Sequence, residues 1–500
     1  MSCLIAAPAS GSGKTLLSLL LAALARQRGL SLQPFKVGPD YLDPQLLSRV
    51  AGRPCRNLDL LLCSPAWVQR CFAWHGSRCD LALVEGVMGL FDGRGPSSEG
   101  SSAAVAALLD LPVVLVVEAS RQAGSLAALV RGFRDHGPPA VRLAGVVLNK
   151  VSSPRHRALL AEALEAIGVP LLGVLPAADL LDLPSRHLGL VSAAELPDLE
   201  ARLPQWAALA AEHLDLERLW PLLAAPPRHE PLAVDPIAWL LEPAQMPATV
   251  AATAAAAAPC APWPLAIATD AAFQFRYPEA VELLRALGAD PQPWSPLADE
   301  ALPPGCRAVV LPGGYPELWA AELAGANRSL ASLRQAAALG LPLVAECGGL
   351  LLLGRQLADA QGHAHAMAGL LPFSAERGAL SLGYRDAIAA ADGLLIRAGE
   401  RCCGHEFHRW QLQHDRSGPA VAGCFGLWQL EGWGCSLHEE GWTAPNVHAS
   451  WLHLHWAGCP EIPRRLVAAA ANAAPLPSAD VFCSPANRGP SPSLSAGGSR

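Results

Sequence analysis

The sequence predicts an α/β protein with two parallel-sheet domains in one chain of 500 residues. Two observations support this fold class. Short apolar runs typical of buried strands alternate with longer helical runs in both halves of the chain. An uncharged run rich in alanine and proline separates the halves, and a composition of 51% hydrophobic and 16% charged residues can fill more than one core.

The domain boundaries follow from shifts in composition. The first predicted domain spans 1–223 and includes the strand-like runs LALVEGV, LPVVLVVEA and LAGVVLNKV. The second spans 264–475, where LAIATD, RAVVLPGG and LPLVAECGG alternate with helical segments. The range 224–263 is predicted to be a linker, because its prolines disfavour a membrane-spanning helix. The small, polar and proline-rich residues 476–500 predict a disordered tail.

Charge and cysteine usage exclude several classes of protein. The net charge of −7 argues against nucleic-acid binding, which needs a basic face. The fourteen cysteines are scattered, and the evenly spaced Cys55, Cys63, Cys71 and Cys79 contain no C-x-x-C pair, so no metal site is predicted there. No export signal is recognisable, so we expect a cytoplasmic protein with reduced thiols and no membrane partner. The oligomeric state is not predicted.

A phosphate-binding loop opens the chain in LIAAPASGSGKTLLSLLLAALA. A strand, a glycine-containing turn and a helix follow one another, as in a P-loop. The strict pattern has glycine where Pro8 stands, but the part from Gly11 through Gly13 to Thr15 is intact. Backbone N–H groups there are expected to hold phosphates, with Lys14 reaching the terminal phosphates and Thr15 binding magnesium.

Acidic residues follow the next two predicted strands. The segment FKVGPDYLDP contains Lys36 at a strand end and then Asp40 and Asp43, while LALVEGVMGLFDG supplies Glu85 and Asp92. Ligands of open α/β sheets bind at the carboxyl ends of strands, so these acids are expected beside the P-loop. Helix capping or turn formation explains any single aspartate but not the whole set. Magnesium ligation by Thr15, Asp43 and Glu85 is therefore predicted.

The segment LPLVAECGGLLLLG in the second half predicts a nucleophile elbow. An apolar strand ends at Cys347, and Gly348 and Gly349 permit a tight turn into an apolar helix. A side chain at such a turn stands clear of both elements, and the helix N-terminus favours its thiolate. The alternative is a buried cysteine that acts only as a small hydrophobic residue.

The motifs together resemble the cobyrinic acid a,c-diamide synthase family. In the first half, the resemblance rests on APASGSGKT, KVGPDYLDP, GRPCRNLD, VEGVMGLFDG, GVVLNKVSSPRHR and LPSRHLGL. In the second half, it rests on DAAFQFRYPE, SPLADE, LPGGYPEL, AECGGL, GHEFH and ASWLHLHW. Cobyric acid synthase, a related family, has a different stretch in place of GPDYLDP. The resemblance implies a dethiobiotin-synthetase-like P-loop domain joined to a class I glutamine amidotransferase domain.

The resemblance also implies a reaction. Members of the family amidate the a and c carboxylates of cobyrinic acid in cobalamin biosynthesis, with ATP and Mg²⁺ as cofactors and with the corrinoid acid and glutamine as substrates. ATP would activate a carboxylate as an acyl phosphate, which ammonia from glutamine then attacks. Because free ammonia would be protonated and lost in water, the two sites are expected to face each other across a shielded path.

In the glutaminase half, the resemblance assigns catalytic roles. Cys347 would attack the glutamine carboxamide to give a thioester, with an oxyanion hole at the N–H groups of Gly314 and Gly348. The match in ASWLHLHW makes His453 the base. His455 stands where class I glutaminases generally carry a glutamate that orients the histidine. The third member of the triad therefore stays open.

In the synthetase half, the resemblance implies a substrate-facing loop. Asp40 and Asp43 would hold magnesium or position the corrinoid acid, and Tyr41 and Leu42 would set which carboxylate is presented. Asp92 is expected to face the same substrate. Cationic contacts to a polycarboxylate are also needed. The candidates for these contacts are Lys36, Arg53, Arg186 and His187.

Other functions stay open at this point. The first half also suits a P-loop switch ATPase joined to an inactive glutaminase domain, although such a switch does not require Cys347 and His453. Amidation of hydrogenobyrinic acid or of a nickel tetrapyrrole is a further alternative, because these substrates present similar acetate side chains. The residues do not reveal the order of the a and c amidations.

Overall fold

The structure is a computed structural model of the chain that describes residues 2–181, 185–186, 189–190, 198–228, 232, 234–242, 262–414 and 424–477. Both halves have the predicted α/β architecture. The greater part of the range predicted as a linker, and all of the predicted tail beyond residue 477, lie outside the described residues.

A parallel sheet of seven strands forms the centre of the first half, in the order β3-β2-β4-β1-β5-β6-β7. Its strands are β1 Cys3–Ala6, β2 Leu32–Val37, β3 Arg56–Leu58, β4 Leu81–Glu85, β5 Val113–Glu118, β6 Leu143–Val151 and β7 Leu171–Pro176. The short strands β8 Ser185–Arg186 and β9 Gly189–Leu190 pair with each other. Strand β1 is buried along its whole length, as expected for a strand covered by helices on both faces.

Helices connect these strands in the crossover pattern of parallel sheets. They are α1 Lys14–Gln27, α2 Leu42–Ala51, α3 Pro65–Gly76, α4 Ser102–Leu108, α5 Ser125–Asp135, α6 Pro154–Glu165, α7 Leu199–His213, α8 Leu216–Leu219 and α9 Pro236–Leu241, with short 3₁₀ turns at Asp179–Leu181 and Trp220–Leu223. Because the strands run parallel, their carboxyl ends lie at one edge of the sheet.

The second half has a parallel core that continues into an antiparallel extension. Strands β11, β10, β12, β13 and β20 are parallel in that order, and β19, β18 and β16 extend the sheet, with β17 paired to β16. Their bounds are β10 Trp263–Ala268, β11 Ala289–Trp294, β12 Val309–Leu311, β13 Leu343–Glu346, β14 Gln356–Ala358, β15 Ala364–Ala366, β16 Phe373–Ala389, β17 Arg401–His414, β18 Cys424–Gly432, β19 Cys435–Ala444 and β20 Val447–Ser450. The helices are α10 Pro278–Ala286, α11 Ala320–Gly325, α12 Asn327–Ala338, α13 Gly348–Leu353 and α14 Glu461–Asn472, and a 3₁₀ turn spans Pro316–Trp319.

Part of the range predicted as a linker is folded. Helix α9 lies within 224–263, buries Ile237 and Leu240, and packs against α3 and α10. The first residue of the predicted tail, Leu476, is also folded. Its N–H donates to the Cys306 carbonyl at 2.9 Å, and its side chain is buried. Both short segments therefore belong to the packed body of the protein.

The two halves share a continuous contact surface. One hydrophobic cluster contains buried residues of both sheets. Arg56 on β3 forms ion pairs with Glu279 at 3.0 Å and Glu282 at 2.6 Å, both on α10. The Tyr384 hydroxyl on β16 donates to Asp59 of the first half at 2.9 Å. Apolar packing and buried polar contacts therefore fix the halves against each other.

No helix in the described ranges combines the length and the apolar character that a bilayer span requires.

Candidate active site

The P-loop has the backbone geometry that its sequence predicts. Gly11 and Gly13 have φ angles of 78° and 111°, in the left-handed region that favours glycine. A Cβ on Gly13 would lie 2.5 Å from the Asn149 side-chain nitrogen, which donates to the Ser12 carbonyl at 3.1 Å. Side-chain contacts from β6 therefore hold the loop in a shape that only glycine fits, just ahead of α1.

The lysine of the loop is held by main-chain oxygens. The Lys14 Nζ donates to the Met88 carbonyl at 2.6 Å and to the Ala9 carbonyl at 3.3 Å. Burial, followed by repulsion from the Lys36 ammonium, lowers the pKa of Lys14 to about 8. Met88 has a φ of 46°, which is unusual for a residue other than glycine. The sequence did not reveal this contact, because it is made by a carbonyl and not by a side chain.

A buried ionic cluster lies beside the P-loop. The Lys36 Nζ is 2.5 Å from Asp43 Oδ2 and 2.7 Å from Glu85 Oε1. The Thr15 hydroxyl donates to the same Glu85 oxygen at 2.7 Å, and Asp40 lies 3.5 Å from the Lys36 amine. The structure therefore brings together the three residues that the sequence predicts as magnesium ligands.

The charges of this cluster are mutually dependent. Burial opposes the charge on Lys36, but Asp43 and Glu85 outweigh it and hold the pKa of Lys36 well above its usual value. Burial raises the pKa of Glu85. Burial, followed by repulsion from Asp43, raises the pKa of Asp40 to about 7. Lys36 is thus occupied by the protein's own carboxylates, which differs from the expectation that it is one of the free cationic contacts for substrate.

The loop predicted to face substrate connects the two halves. Asp40 Oδ1 accepts hydrogen bonds from the N–H groups of Leu42 and Asp43 at 2.9 and 3.2 Å, which caps α2. Leu42 is buried. The Tyr41 ring packs against His453, with 5.2 Å between ring centroids, and also contacts Phe275. Tyr41 is therefore in contact with the glutaminase half.

Four further residues are predicted to contact substrate. Asp92 Oδ2 accepts the Gly89 N–H at 2.8 Å and so stabilises a local turn, although Asp92 also lines the cavity described below. Arg53 lines a second cavity of about 530 Å³, which also borders Asp40. Only the backbone of Arg186 is described, and His187 lies outside the described residues.

The elbow at Cys347 has a strained backbone. Cys347 has φ 47° and ψ −108° at the junction of β13 and α13. A Cβ on Gly348 would lie 2.8 Å from the Gly314 nitrogen, and one on Gly349 only 2.0 Å from the Leu311 carbonyl oxygen. The two predicted oxyanion-hole residues, Gly314 and Gly348, are therefore adjacent.

The thiol of Cys347 is buried and directed toward β17. It donates to the Phe407 carbonyl at 3.8 Å. Burial, and then the nearby Glu317 carboxyl, raises the pKa of the Cys347 thiol. Because these surroundings disfavour the thiolate, a base is required to generate the nucleophile.

His453 follows β20, the parallel neighbour of β13, so that both predicted catalytic residues lie at the carboxyl ends of adjacent strands. The N–H and C=O of His453 exchange hydrogen bonds with those of His405 at 2.9 and 3.0 Å. A Cβ on Gly313 would lie 2.3 Å from the His453 ring. The imidazole is therefore packed against the turn that carries Gly314, and the residue as a whole is buried.

His455 has a different environment from His453. Its Nε2 is 3.7 Å from Glu279, the residue paired with Arg56, and its ring stacks on Tyr277 with centroids 4.2 Å apart. Burial lowers the pKa of His455. The position that carries a glutamate in the general pattern is therefore part of the contact between the halves, and it does not orient His453.

One cavity of about 680 Å³ is lined by residues of both halves. At one end it is lined by Gly13, Lys14 and Thr15 of the P-loop, and at the other by His405 and Phe407. His405 pairs with His453, and Phe407 accepts from the Cys347 thiol. The cavity walls thus include the residues that contact both members of the predicted Cys–His pair. Sequence motifs marked His405 and Phe407 within GHEFH without indicating this role.

Comparisons with known proteins identify two domains in the chain. Residues 3–191 match the family model for the CobQ/CobB/MinD/ParA nucleotide binding domain, and residues 264–460 match the CobB/CobQ-like glutamine amidotransferase domain. The chain therefore combines a nucleotide-binding domain with a glutamine amidotransferase domain, the architecture of a glutamine-dependent amidating ligase.

Full-length relatives define the family more narrowly. A cobyrinate a,c-diamide synthase of Gloeobacter violaceus is 43% identical, covering 93% of this chain and 96% of the relative. A cobyrinate a,c-diamide synthase of Synechococcus is 40% identical, covering 92% of this chain and 96% of the relative. A hydrogenobyrinate a,c-diamide synthase of Streptomyces coelicolor is 44% identical over 93% and 96%. The chain belongs to the a,c-diamide synthase family.

Proposed function

We propose that this protein amidates the a and c carboxylates of a corrin acid, using ATP and ammonia released from glutamine, in the cytoplasm. The observation that carries the proposal is the shared cavity, which runs from the P-loop to the strand that contacts Cys347 and His453. An enzyme that makes ammonia at one site and uses it at another needs this arrangement, since released ammonia would otherwise be protonated in water.

In the synthetase half, the P-loop would hold the ATP phosphates. The positive φ angles of Gly11 and Gly13 leave their backbone free to approach phosphate oxygens. Lys14 would exchange the Met88 carbonyl for a phosphate oxygen and stabilise the charge that develops during transfer. The substrate carboxylate, activated as an acyl phosphate, would lie in the cavity beside Asp40 and Tyr41.

The residues beside the P-loop fit a magnesium ion. Thr15, Asp43 and Glu85 supply oxygen donors, which are the ligands that magnesium prefers. Glu85 Oε2 is buried and makes no hydrogen bond to the described residues, so this oxygen could accept a cation. Lys36 neutralises part of the carboxylate charge and fixes the orientation of Asp43 and Glu85. Bound magnesium would neutralise phosphate charge during transfer.

In the glutaminase half, Cys347 would attack the glutamine carboxamide after His453 removes the thiol proton. The adjacent N–H groups of Gly314 and Gly348 would stabilise the oxyanion, and His453 would return its proton to the departing ammonia. Water would then hydrolyse the thioester, releasing glutamate. Because Tyr41 packs on His453, the ammonia would leave directly toward the substrate loop.

The proposal includes both cobyrinic acid and hydrogenobyrinic acid as substrates. Relatives named for cobyrinate and for hydrogenobyrinate are 43% and 44% identical to this chain, so the similarity favours neither substrate. Both substrates carry the acetate side chains that the reaction uses.

The deciding experiment is mass spectrometry of the purified enzyme incubated with ATP, magnesium, glutamine and either cobyrinic or hydrogenobyrinic acid. We expect two successive mass losses of about 1 Da per substrate molecule, since each step replaces a hydroxyl by an amino group, and both should require ATP and glutamine. The faster substrate identifies the preferred macrocycle. ATP hydrolysis without any mass change on either acid would contradict the proposal and favour another tetrapyrrole or a switch ATPase.

A further inference from the structure

We propose that Glu346, the residue before the nucleophile, is the positioning carboxylate for His453 and so completes the glutaminase triad. The inference rests on the proposed roles of Cys347 and His453. The Oε2 atom of Glu346 is 3.8 Å from Nδ1 of His453. This Nδ1 is buried and makes no hydrogen bond to the described residues. Burying a ring nitrogen that lacks a hydrogen-bond partner costs free energy, so a carboxylate close enough to accept from it would stabilise the histidine.

The distance is longer than a hydrogen bond, but it can close. Glu346 keeps 15% of its side chain exposed, whereas the His453 side chain is 2% exposed and fixed by its backbone pairing with His405. A rotamer adjustment of about 1 Å at the glutamate would bring the two atoms within hydrogen-bonding range, and catalytic hydrogen bonds are often long until substrate binds.

Other carboxylates of the glutaminase half have different partners. Glu279 pairs with Arg56 and faces His455. The Glu440 carboxylate accepts from the Ser450 hydroxyl at 2.6 Å and the Trp451 N–H at 2.8 Å.

Glu406 is likewise engaged, since it accepts from Arg385 Nε at 2.7 Å and from the Ser381 hydroxyl at 2.9 Å. In the described part of the chain, Glu346 is the carboxylate that faces the His453 ring.

The strained elbow explains how neighbours in sequence can serve the same site. Consecutive side chains of a regular strand point to opposite faces, so Glu346 and a strand-like Cys347 would diverge. The positive φ of Cys347 ends this alternation at the end of β13. The elbow therefore allows the carboxylate and the thiol to approach one histidine together.

The role follows from imidazole chemistry. A carboxylate beside Nδ1 favours the tautomer with its proton on that nitrogen, which leaves Nε2 to accept the proton of the thiol. It also stabilises the imidazolium that forms when the thioester is made. Among the described residues, the titratable groups in recognised contact with His453 are Glu346 at the end of β13, Tyr41 from the substrate loop and His405 on β17, and Glu346 supplies the carboxylate.

The test compares Glu346→Ala and Glu346→Gln with the wild type in glutamine hydrolysis and in amidation driven by ammonium chloride. We expect Glu346→Ala to lower kcat for glutamine by about 30- to 100-fold with KM changed less than about threefold, because the glutamate acts through His453. The glutamine kcat of Glu346→Gln should lie between those of Glu346→Ala and the wild type, because the amide oxygen accepts a hydrogen bond but carries no charge. Ammonium-driven amidation should be unchanged.

Glu376→Ala serves as the control, because Glu376 lies on β16 of the same half and its carboxylate accepts from Gln413. A glutamine kcat of Glu346→Ala within twofold of the wild type would overturn the inference. Equal losses in both assays would also overturn it, since they would assign Glu346 to the architecture of the protein. Absence of glutamine hydrolysis in the wild type would instead contradict the proposed function.

Discussion

Cys347 combines high burial with a strained backbone. Burial raises the pKa of its thiol, which makes an unassisted nucleophile weak. The positive φ costs about 1–3 kcal/mol, which the packing around Gly348 and Gly349 sustains. Strain that is retained at a turn next to a histidine is typical of a functional site.

Substitution of this cysteine should separate the two chemistries. We expect Cys347→Ala to reduce glutamine-dependent amidation by at least about 10³-fold while ammonium-dependent amidation continues, because only ammonia generation is lost. Lys14→Ala should abolish both activities, since phosphoryl transfer serves either nitrogen source. Steady-state product formation with each nitrogen source measures this. Full glutamine activity in Cys347→Ala would show that the elbow is only structural.

Glu317 makes stability depend on pH. Burial raises its pKa from 4.5 to about 7, and the residue is 9% exposed. A group with a raised folded pKa contributes stability below its unfolded pKa, and this contribution is lost as pH rises from 4.5 to 7.

We therefore expect Glu317→Gln to gain stability relative to the wild type on going from pH 4 to pH 8, by about 3 kcal/mol, as followed by urea unfolding. The sign follows because the glutamine cannot ionise in its buried position. A difference between the two proteins that stays constant from pH 4 to pH 8 would contradict the raised pKa.

At the scale of elements, helix α13 is packed unusually closely against the turn that carries Gly314. A Cβ on Gly348 would meet the nitrogen and carbonyl oxygen of Gly314, both at 2.8 Å. Because these are backbone atoms, they cannot move aside as the end of a flexible side chain could. Helix α13 and the turn that carries Gly314 must therefore separate to accommodate a methyl group at position 348. The two N–H groups of the proposed oxyanion hole would separate with them.

Gly348→Ala should consequently lower the glutaminase kcat by about 10²-fold, the usual effect of losing one oxyanion donor, while ammonium-driven amidation persists. Gly325→Ala, at the end of α11, is the matched control, because a Cβ there has no neighbour within 4 Å in the described part of the chain. Kinetics of glutamine hydrolysis and thermal unfolding of both variants make the comparison. Similar kcat values in the two variants would argue against the proposed oxyanion hole.

The P-loop and the elbow at Cys347 can be predicted from local sequence patterns. The contacts that their side chains make with residues distant in sequence cannot. The glycines and lysine of the P-loop, and the elbow at Cys347, follow from short segments in which backbone geometry dictates residue type. Met88 was missed because its carbonyl, and not its side chain, binds Lys14. Glu346 was missed because a residue before a nucleophile normally points away from it. The sequence predicts that Lys36 contacts substrate, because its pairing with Glu85 joins two separate segments and its pairing with Asp43 depends on the turn between β2 and α2.

At the scale of the whole molecule, a buried ionic group joins the two halves. The Arg56 side chain is 7% exposed and bonds Glu279 and Glu282 on α10. We expect Arg56→Ala to destabilise the protein by about 3–5 kcal/mol, because it leaves the buried Glu279 carboxylate without its cation. Urea unfolding followed by tryptophan fluorescence would measure the loss.

Arg26→Ala is the control for that measurement, because Arg26 and its partner Glu200 are 47% and 55% exposed. An exposed pair of this kind contributes about 1 kcal/mol or less. If both arginine variants lost the same small amount, the contact between the halves would not depend on the buried ions.

The surroundings of His455 restrict which residues that position can accept. A glutamate there, as in the general glutaminase pattern, would enter a fully buried site that faces Glu279 at 3.7 Å. Two carboxylates would then compete for Arg56, and replacing Glu279 to relieve them would remove a partner of that arginine. A glutamate at position 455 and a replacement of Glu279 are therefore each unfavourable on their own. The residues at positions 455 and 279 consequently depend on each other through Arg56.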